Sequence, residues 1–206
     1  MPKLTLTYFD STGRAEPIRV ALRLGGVPFD DVRLQFPEFT AIKAAGALPL
    51  GSVPVLDVDG VRVTQTAAML RYAARLGNAS LYPSDAFSAL LVDSALDSFN
   101  DTLSHALMPS LFERDPARKL AMRAEVAAGP MARVFRYVEG LVATSGGPFV
   151  AGATLSIADI VVALQLLQIR SGRLDGLDGA TLAPYPRLVT LVEAYLAEPR
   201  IIALTG

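Results

Sequence analysis

Cysteine is absent from this chain, which excludes disulfides, thiolate metal sites and redox dithiols together. Charge of either sign is in no excess: 19 Lys and Arg stand against 20 Asp and Glu, a net charge of −1. That balance gives no electrostatic footprint for nucleic acid. Long apolar runs are missing too. The longest candidate, 157–169, is interrupted by Asp159, Gln165 and Gln168 and falls short of the roughly 18 residues of a membrane helix. No apolar signal core follows Met1-Pro2-Lys3, so a cytoplasmic protein without membrane insertion is expected. Charge as a whole is scarce, at 19% of residues with a mean hydropathy of +0.38. A chain so poor in charge is expected to cover apolar surface with another subunit.

What is present divides in two. The 206 residues suffice for one large domain or two small ones. Up to residue 80, strand-like pieces at 3–8, 31–34, 53–58 and 61–64 alternate with helical spacing at 16–24 and 66–76, stopped by Gly25-Gly26 and Gly77. Asp59-Gly60 suits a two-residue hairpin turn. Strand, helix, strand, hairpin, helix makes a small α/β unit. Residues 77–88 are rich in turn formers and read as a linker. Beyond it, periodicity predicts helices at 86–112, 116–143 with a break near Gly129-Pro130, 156–170, 187–197 and a short tail around Ile201. Domains are expected at 1–80 and 81–206, α/β followed by all-α. Ser156 and Asp159 make a capping box at the start of one helix, with Leu155 and Ile160 in the staple positions. Its role is structural.

Chemistry points first to Tyr8. It ends the alternating run Leu4-Thr5-Leu6-Thr7-Tyr8-Phe9, ahead of the turn Asp10-Ser11-Thr12-Gly13, then Arg14, and Pro17 where a helix begins. A hydroxyl beside a helix N-terminus and a cation faces a site that favours an anion. A strand-end tyrosine can also simply bury its ring and wet its hydroxyl, and Ser11 or Thr12 can donate in its place. Val53-Pro54 is a candidate cis peptide that would offer the Val53 backbone to an extended ligand, or it is a plain turn. Thr66 opens a helix and can present its hydroxyl and the first amides to a carboxylate, or be an ordinary cap. Asp93, Asp97 and Asp101 recur every four residues, on one helical face beside Asn100. No Lys or Arg occurs from Leu76 through Glu113, so the ladder lacks local compensation. Its cation is expected from Arg71 or Arg75, from a ligand ammonium, or from a divalent metal. His105, the sole histidine, pairs with Asp101 or lines a pocket. Nothing around Ser11 forms the nucleophile elbow of a hydrolase.

Together and in order, these elements resemble the cytosolic glutathione transferases, nearest the sigma class. The resemblance spans essentially the whole chain. It rests on Leu6-Thr7-Tyr8-Phe9, Gly13-Arg14-Ala15-Glu16, Ile42-Lys43, Gly51-Ser52-Val53-Pro54-Val55-Leu56, Asp59-Gly60, Gln65-Thr66 and Ser156-Ile157-Ala158-Asp159. It implies an N-terminal thioredoxin-like domain, a C-terminal helical domain and a homodimer. It implies glutathione as co-substrate, no metal, and transfer of the glutathione thiolate to hydrophobic electrophiles, as in detoxification. By resemblance, Tyr8 stabilises the thiolate and Arg14 supports it. Phe39 and Lys43 take the positions that hold the glycyl carboxylate, and Gly51 and Ser52 belong to the same glutathione site. Val53 and Pro54 lie beside the cysteinyl part, with Gln65 and Thr66 at the γ-glutamyl end. Asp101 is the acid contributed across the dimer toward the γ-glutamyl ammonium. Phe9, Thr12, Ser104, His105, Met108 and Leu204 wall the electrophile pocket. Two rivals share the scaffold: glutathione-dependent peroxide reduction or isomerisation at the same site, and a non-enzymatic binding or structural protein. Phe39 stands for a tryptophan and Ser52 for a lysine, which implies looser glycyl anchoring and a higher glutathione KM. Asn100 replaces a metal-binding acid of the prostaglandin synthases in that class, whose pocket tryptophan is missing as well.

Overall fold

Period-two alternation puts Leu4 and Leu6 on the buried side of a strand, β1 (Leu4–Phe9). The computed structural model describes residues 1–205, and its contacts divide the chain into Met1–Ser80 and Leu81–Gly206. In the first unit, β1 is followed by α1 (Glu16–Leu24), β2 (Asp30–Leu34), α2 (Phe36–Ala44), β3 (Val55–Val58), β4 (Val61–Val63) and α3 (Thr66–Leu76). The strands form a mixed sheet in the order β2-β1-β3-β4, with β1 parallel to β2 and antiparallel to β3. Helices α1 and α3 pack together, and Ile18, Leu22, Met69 and Leu70 are buried along with Leu6 and Leu56 of the sheet. Their ends meet at two glycines: a Cβ on Gly77 would fall 2.4 Å from the Gly25 Cα.

Helix α2 is not among those that periodicity predicts. None of its residues is fully buried, so it has no apolar stripe to read. Local chemistry holds it instead. Gln35 and Glu38 form a capping box, the Glu38 carboxylate accepting from the Gln35 amide at 2.6 Å, and Pro37 sits in the first turn. Strand β3 starts two residues later than expected. Pro54 has no N–H to give a ladder, and the Val53–Pro54 peptide is cis.

The second unit is helical: α4 (Ala86–Asp97), α5 (Ser104–Phe112), α6 (Pro116–Val126), α7 (Ala132–Thr144), α8 (Ile157–Arg170), α9 (Gly179–Leu182), α10 (Pro186–Ala197) and α11 (Pro199–Thr205). The expected helix 86–112 is continuous, but α4 passes into α5 through a π-helical stretch, Ser98–Leu103. A second stretch, Ala127–Met131, joins α6 to α7 and absorbs Pro130 where a break was expected. Helix α8 is buried on nearly all sides, which explains a sequence that is apolar almost all round. Its start follows the sequence: Asp159 Oδ2 accepts from the Ser156 amide at 2.8 Å and hydroxyl at 2.6 Å, and Oδ1 takes the Val150 amide at 2.9 Å. Burial pushes the Asp159 carboxyl up to about 6, against those three hydrogen bonds, which hold it down. Glu139 of α7 caps α10 from outside, accepting from the Arg187 and Leu188 amides at 2.9 and 2.8 Å. Among the described residues no helix is long and apolar enough to cross a membrane.

Candidate functional site

Strand register decides which residues meet. Thr7 pairs with Val55 and Leu56 with Val63, so Tyr8, Pro54 and Gln65 fall at the same end of adjacent strands. Phe9 pairs with Leu34, which brings the start of α2 to that end as well.

Tyr8 is half-buried there. Its hydroxyl oxygen accepts a hydrogen bond from the Arg14 backbone amide at 3.2 Å, which leaves the phenolic proton to be donated elsewhere. That amide lies in a short 3-10 turn, Gly13–Ala15, which runs directly into α1. Tyr8 therefore sits at the positive end of a helix. Gly13 permits the approach: its φ is +42°, and a Cβ there would lie 2.5 Å from the Tyr8 hydroxyl oxygen. Arg14 meets Tyr8 through its main chain and is itself exposed.

Arg19 lies outside the residues the sequence singles out, yet it is fully buried with its guanidinium 6.0 Å from the Tyr8 ring. Nε pairs with Asp31 at 3.0 Å, and Nη1 with Glu16 at 3.1 Å and the Ser11 carbonyl at 2.8 Å. These bonds tie the turn after β1 to β2. Nη2 has no hydrogen-bond partner among the described residues. A signal was available, because Ala15, Ile18, Arg19 and Leu22 share one helical face. A charge on a buried stripe demands partners.

On α2, the Lys43 ammonium stands 5.7 Å from the Phe39 ring. Gly51 is adjacent, since a Cβ there would come 3.5 Å from Lys43 Cε. Ser52 is exposed and Pro54 buried. Tyr8, Phe9, Phe39 and Ile42 pack on a cluster of Leu34, Leu48, Val53 and Val55. Phe36, also not singled out by the sequence, joins the rings: it lies near-parallel to Phe9. Gln65 is exposed at φ +74°, a left-handed conformation uncommon outside glycine, and Thr66 begins α3 directly after it.

In the second unit the acidic ladder spans two kinds of helix: Asp93 and Asp97 lie on α4 and Asp101 in the π-helical stretch that starts at Ser98. Asp101 is exposed while Asp93 and Asp97 are half-buried. Tyr82 donates its hydroxyl to Asp93 at 2.7 Å, and Asp97 is engaged as well. His105 donates from Nδ1 to the Asp101 backbone carbonyl, not to its carboxylate. The Asn100 side-chain nitrogen is buried with no hydrogen-bond partner among the described residues. Ser104 donates its hydroxyl to the Phe99 carbonyl at 2.9 Å. Met108 is half-buried and Leu204 exposed on α11. Phe9 and an exposed Thr12 thus stand in the first unit, and Ser104, His105, Met108 and Leu204 in the second. Among the described residues no group of three His, Asp or Glu is placed to hold a metal ion.

Residues 4–75 match the family profile described as glutathione S-transferase, N-terminal domain, and residues 100–204 the one described as glutathione S-transferase, C-terminal domain. Glutathione S-transferase 1 of Ascaris suum is 33% identical over 185 residues, covering 87% of this chain and 86% of that protein. Glutathione S-transferase 3 of Gallus gallus is 31% identical over 179 residues, covering 86% of this chain and 76% of that protein. Among solved structures, the glutathione S-transferase from Ascaris lumbricoides aligns with a TM-score of 0.84 at 29% identity, over 99% of this chain and 96% of that one. Prostaglandin synthase D of Nilaparvata lugens aligns with a TM-score of 0.81 at 28% identity, over 99% and 97%.

Proposed function

Because the chain belongs to the glutathione S-transferase family, we propose that it transfers the glutathione thiolate to hydrophobic electrophiles, with Tyr8 holding the sulfur. The fold is the family's, a thioredoxin-like domain with a mixed sheet followed by a helical domain. The observation that supports Tyr8 is its hydroxyl, already engaged as an acceptor by the Arg14 amide and so left to donate to a ligand.

The energetics suffice. A free thiol has a pKa of about 8.5, and lowering it by about two units takes ~2.7 kcal/mol of preference for the thiolate. One hydrogen bond to an anion supplies ~1.5–3 kcal/mol, and the start of α1 adds to it. The thiol proton leaves to solvent as the thiolate forms. The sulfur then attacks the electrophilic carbon, the new C–S bond forms, and a halide leaves with its electron pair.

Around that centre, the Val53 backbone is assigned to the cysteinyl part of glutathione. Lys43 with Phe39, Gly51 and Ser52 is assigned to the glycyl end, and Gln65 with Thr66 to the γ-glutamyl end. Residues 1–80 make the glutathione-binding domain. Phe9 and Thr12 in it, and Ser104, His105, Met108 and Leu204 in residues 81–206, are assigned to the electrophile. The same reading includes a cytoplasmic homodimer of sigma-like class serving detoxification, in which Asp101 serves the other subunit's γ-glutamyl ammonium.

The test is conjugation of an aryl halide by wild type and Tyr8→Phe. The variant is expected to lose about 10- to 100-fold in kcat/KM with little change in glutathione KM. Equal activity would remove Tyr8 from the chemistry and promote Ser11. Failure of wild type to bind immobilised glutathione would favour a non-enzymatic role for the scaffold.

A further inference from the structure

Phe36 is the first residue of α2 and is 71% exposed. A large apolar ring is left facing water here, with other rings beside it. Its plane lies 13° from that of Phe9 with centroids 6.5 Å apart, and Phe39 flanks it at 6.1 Å. The Gln35–Glu38 capping box and Pro37 hold the backbone that carries it. Phe9 in turn meets Tyr8 edge-on at 5.5 Å. The exposed ring is therefore two ring contacts from the hydroxyl assigned to the sulfur. Beside Phe9, Asp10 is ion-paired with Arg33 at 3.1 Å, which gives the apolar tier a charged rim.

An aromatic side chain has only two rotatable bonds to order on binding, and its face stacks on flat π-systems. The electron-rich face of a phenyl ring favours an electron-poor partner, whereas an aliphatic ligand gains only buried area. We propose that Phe36, backed by Phe9, is the platform on which the second reactant docks, and that it selects flat, electron-poor aromatic electrophiles over aliphatic ones. This inference rests on the transferase reading above.

The chain has no tryptophan, so Phe36→Trp installs a single fluorophore on the platform. Titration with a nitroaromatic that lacks a leaving group reads docking without chemistry. Saturable quenching is expected there, against linear collisional quenching in Phe112→Trp, whose position is 77% exposed in the helical unit. In kinetics, Phe36→Ala is expected to lower kcat/KM for 1-chloro-2,4-dinitrobenzene about 3- to 10-fold through the KM of the aryl halide. The glutathione KM should not move, and the rate with an aliphatic enal should fall clearly less than that with the aryl halide. Collisional quenching alone at position 36, or equal losses with both electrophiles, overturns the proposal. So does a Phe36→Ala effect on subunit association in place of electrophile KM, since a second copy would then be the occupant. If wild type conjugates neither electrophile, the transferase reading falls, and the quenching decides the platform by itself.

Discussion

A methyl group at Gly13 can be accommodated only by displacing Tyr8. The position combines φ +42° with a Cβ site 2.5 Å from the Tyr8 hydroxyl oxygen. Gly26 has φ +64° and nothing within 4 Å of its Cβ site, so it shares the backbone strain and lacks the neighbour. Gly13→Ala and Gly26→Ala are each expected to lose about 1–2 kcal/mol of stability. Only Gly13→Ala should also lose about 10-fold or more in conjugation rate, the hydrogen bond to sulfur being misplaced. Equal activity in the two variants would detach the tyrosine from this turn. At this scale the sequence was legible where chemistry is local. Tyr8 at a strand end, the Val53-Pro54 peptide and Ser156 with Asp159 each announce themselves within a few residues. Phe36 does not, because strand pairing brings Phe9 to it from elsewhere in the chain, and the buried face that carries Arg19 is legible while its partner Asp31 on β2 is not.

Among elements, α1 and α3 could be read in full because each buries a face, and α2 could not because it buries none. Only Gln35, Pro37 and Glu38 marked its start. Helix α8 makes a prediction of its own. The folded-state pKa of Asp159 is raised from 3.8 to about 6, so the native state holds the proton more tightly than the unfolded chain does. Its contribution to stability is then fully present below about pH 3.8 and lost as pH rises through about 6. The size is on the order of 3 kcal/mol. Urea unfolding of wild type and Asp159→Asn between roughly pH 4 and 7 should show a stability gap that narrows with rising pH. A gap that widens would mean the ionised carboxylate, through its hydrogen bonds, outweighs desolvation.

For the whole molecule, scarce charge and exposed Phe87, Leu90 and Val61 fit a surface meant to be covered. Sedimentation should give twice 21.8 kDa. If Asp101 serves the other subunit, mixing the weakened variants Tyr8→Phe and Asp101→Ala should raise activity above that of either alone, because one site of each hybrid then has both groups intact. No recovery after verified subunit exchange would return Asp101 to its own subunit or remove it from the site. The π-helical stretch Ser98–Leu103 carries a last consequence. It feeds straight into α5, and an α-helix advances about 100° per residue. Six π-helical residues turn through about as much as five α-helical ones, so removing one residue from the stretch would close it to α-helix and leave Ser104, His105 and Met108 facing as they do. A deletion inside α5 itself would instead turn every later residue of the helix by about 100°, so the stretch is the place on this bundle where a one-residue change in length is expected to be tolerated.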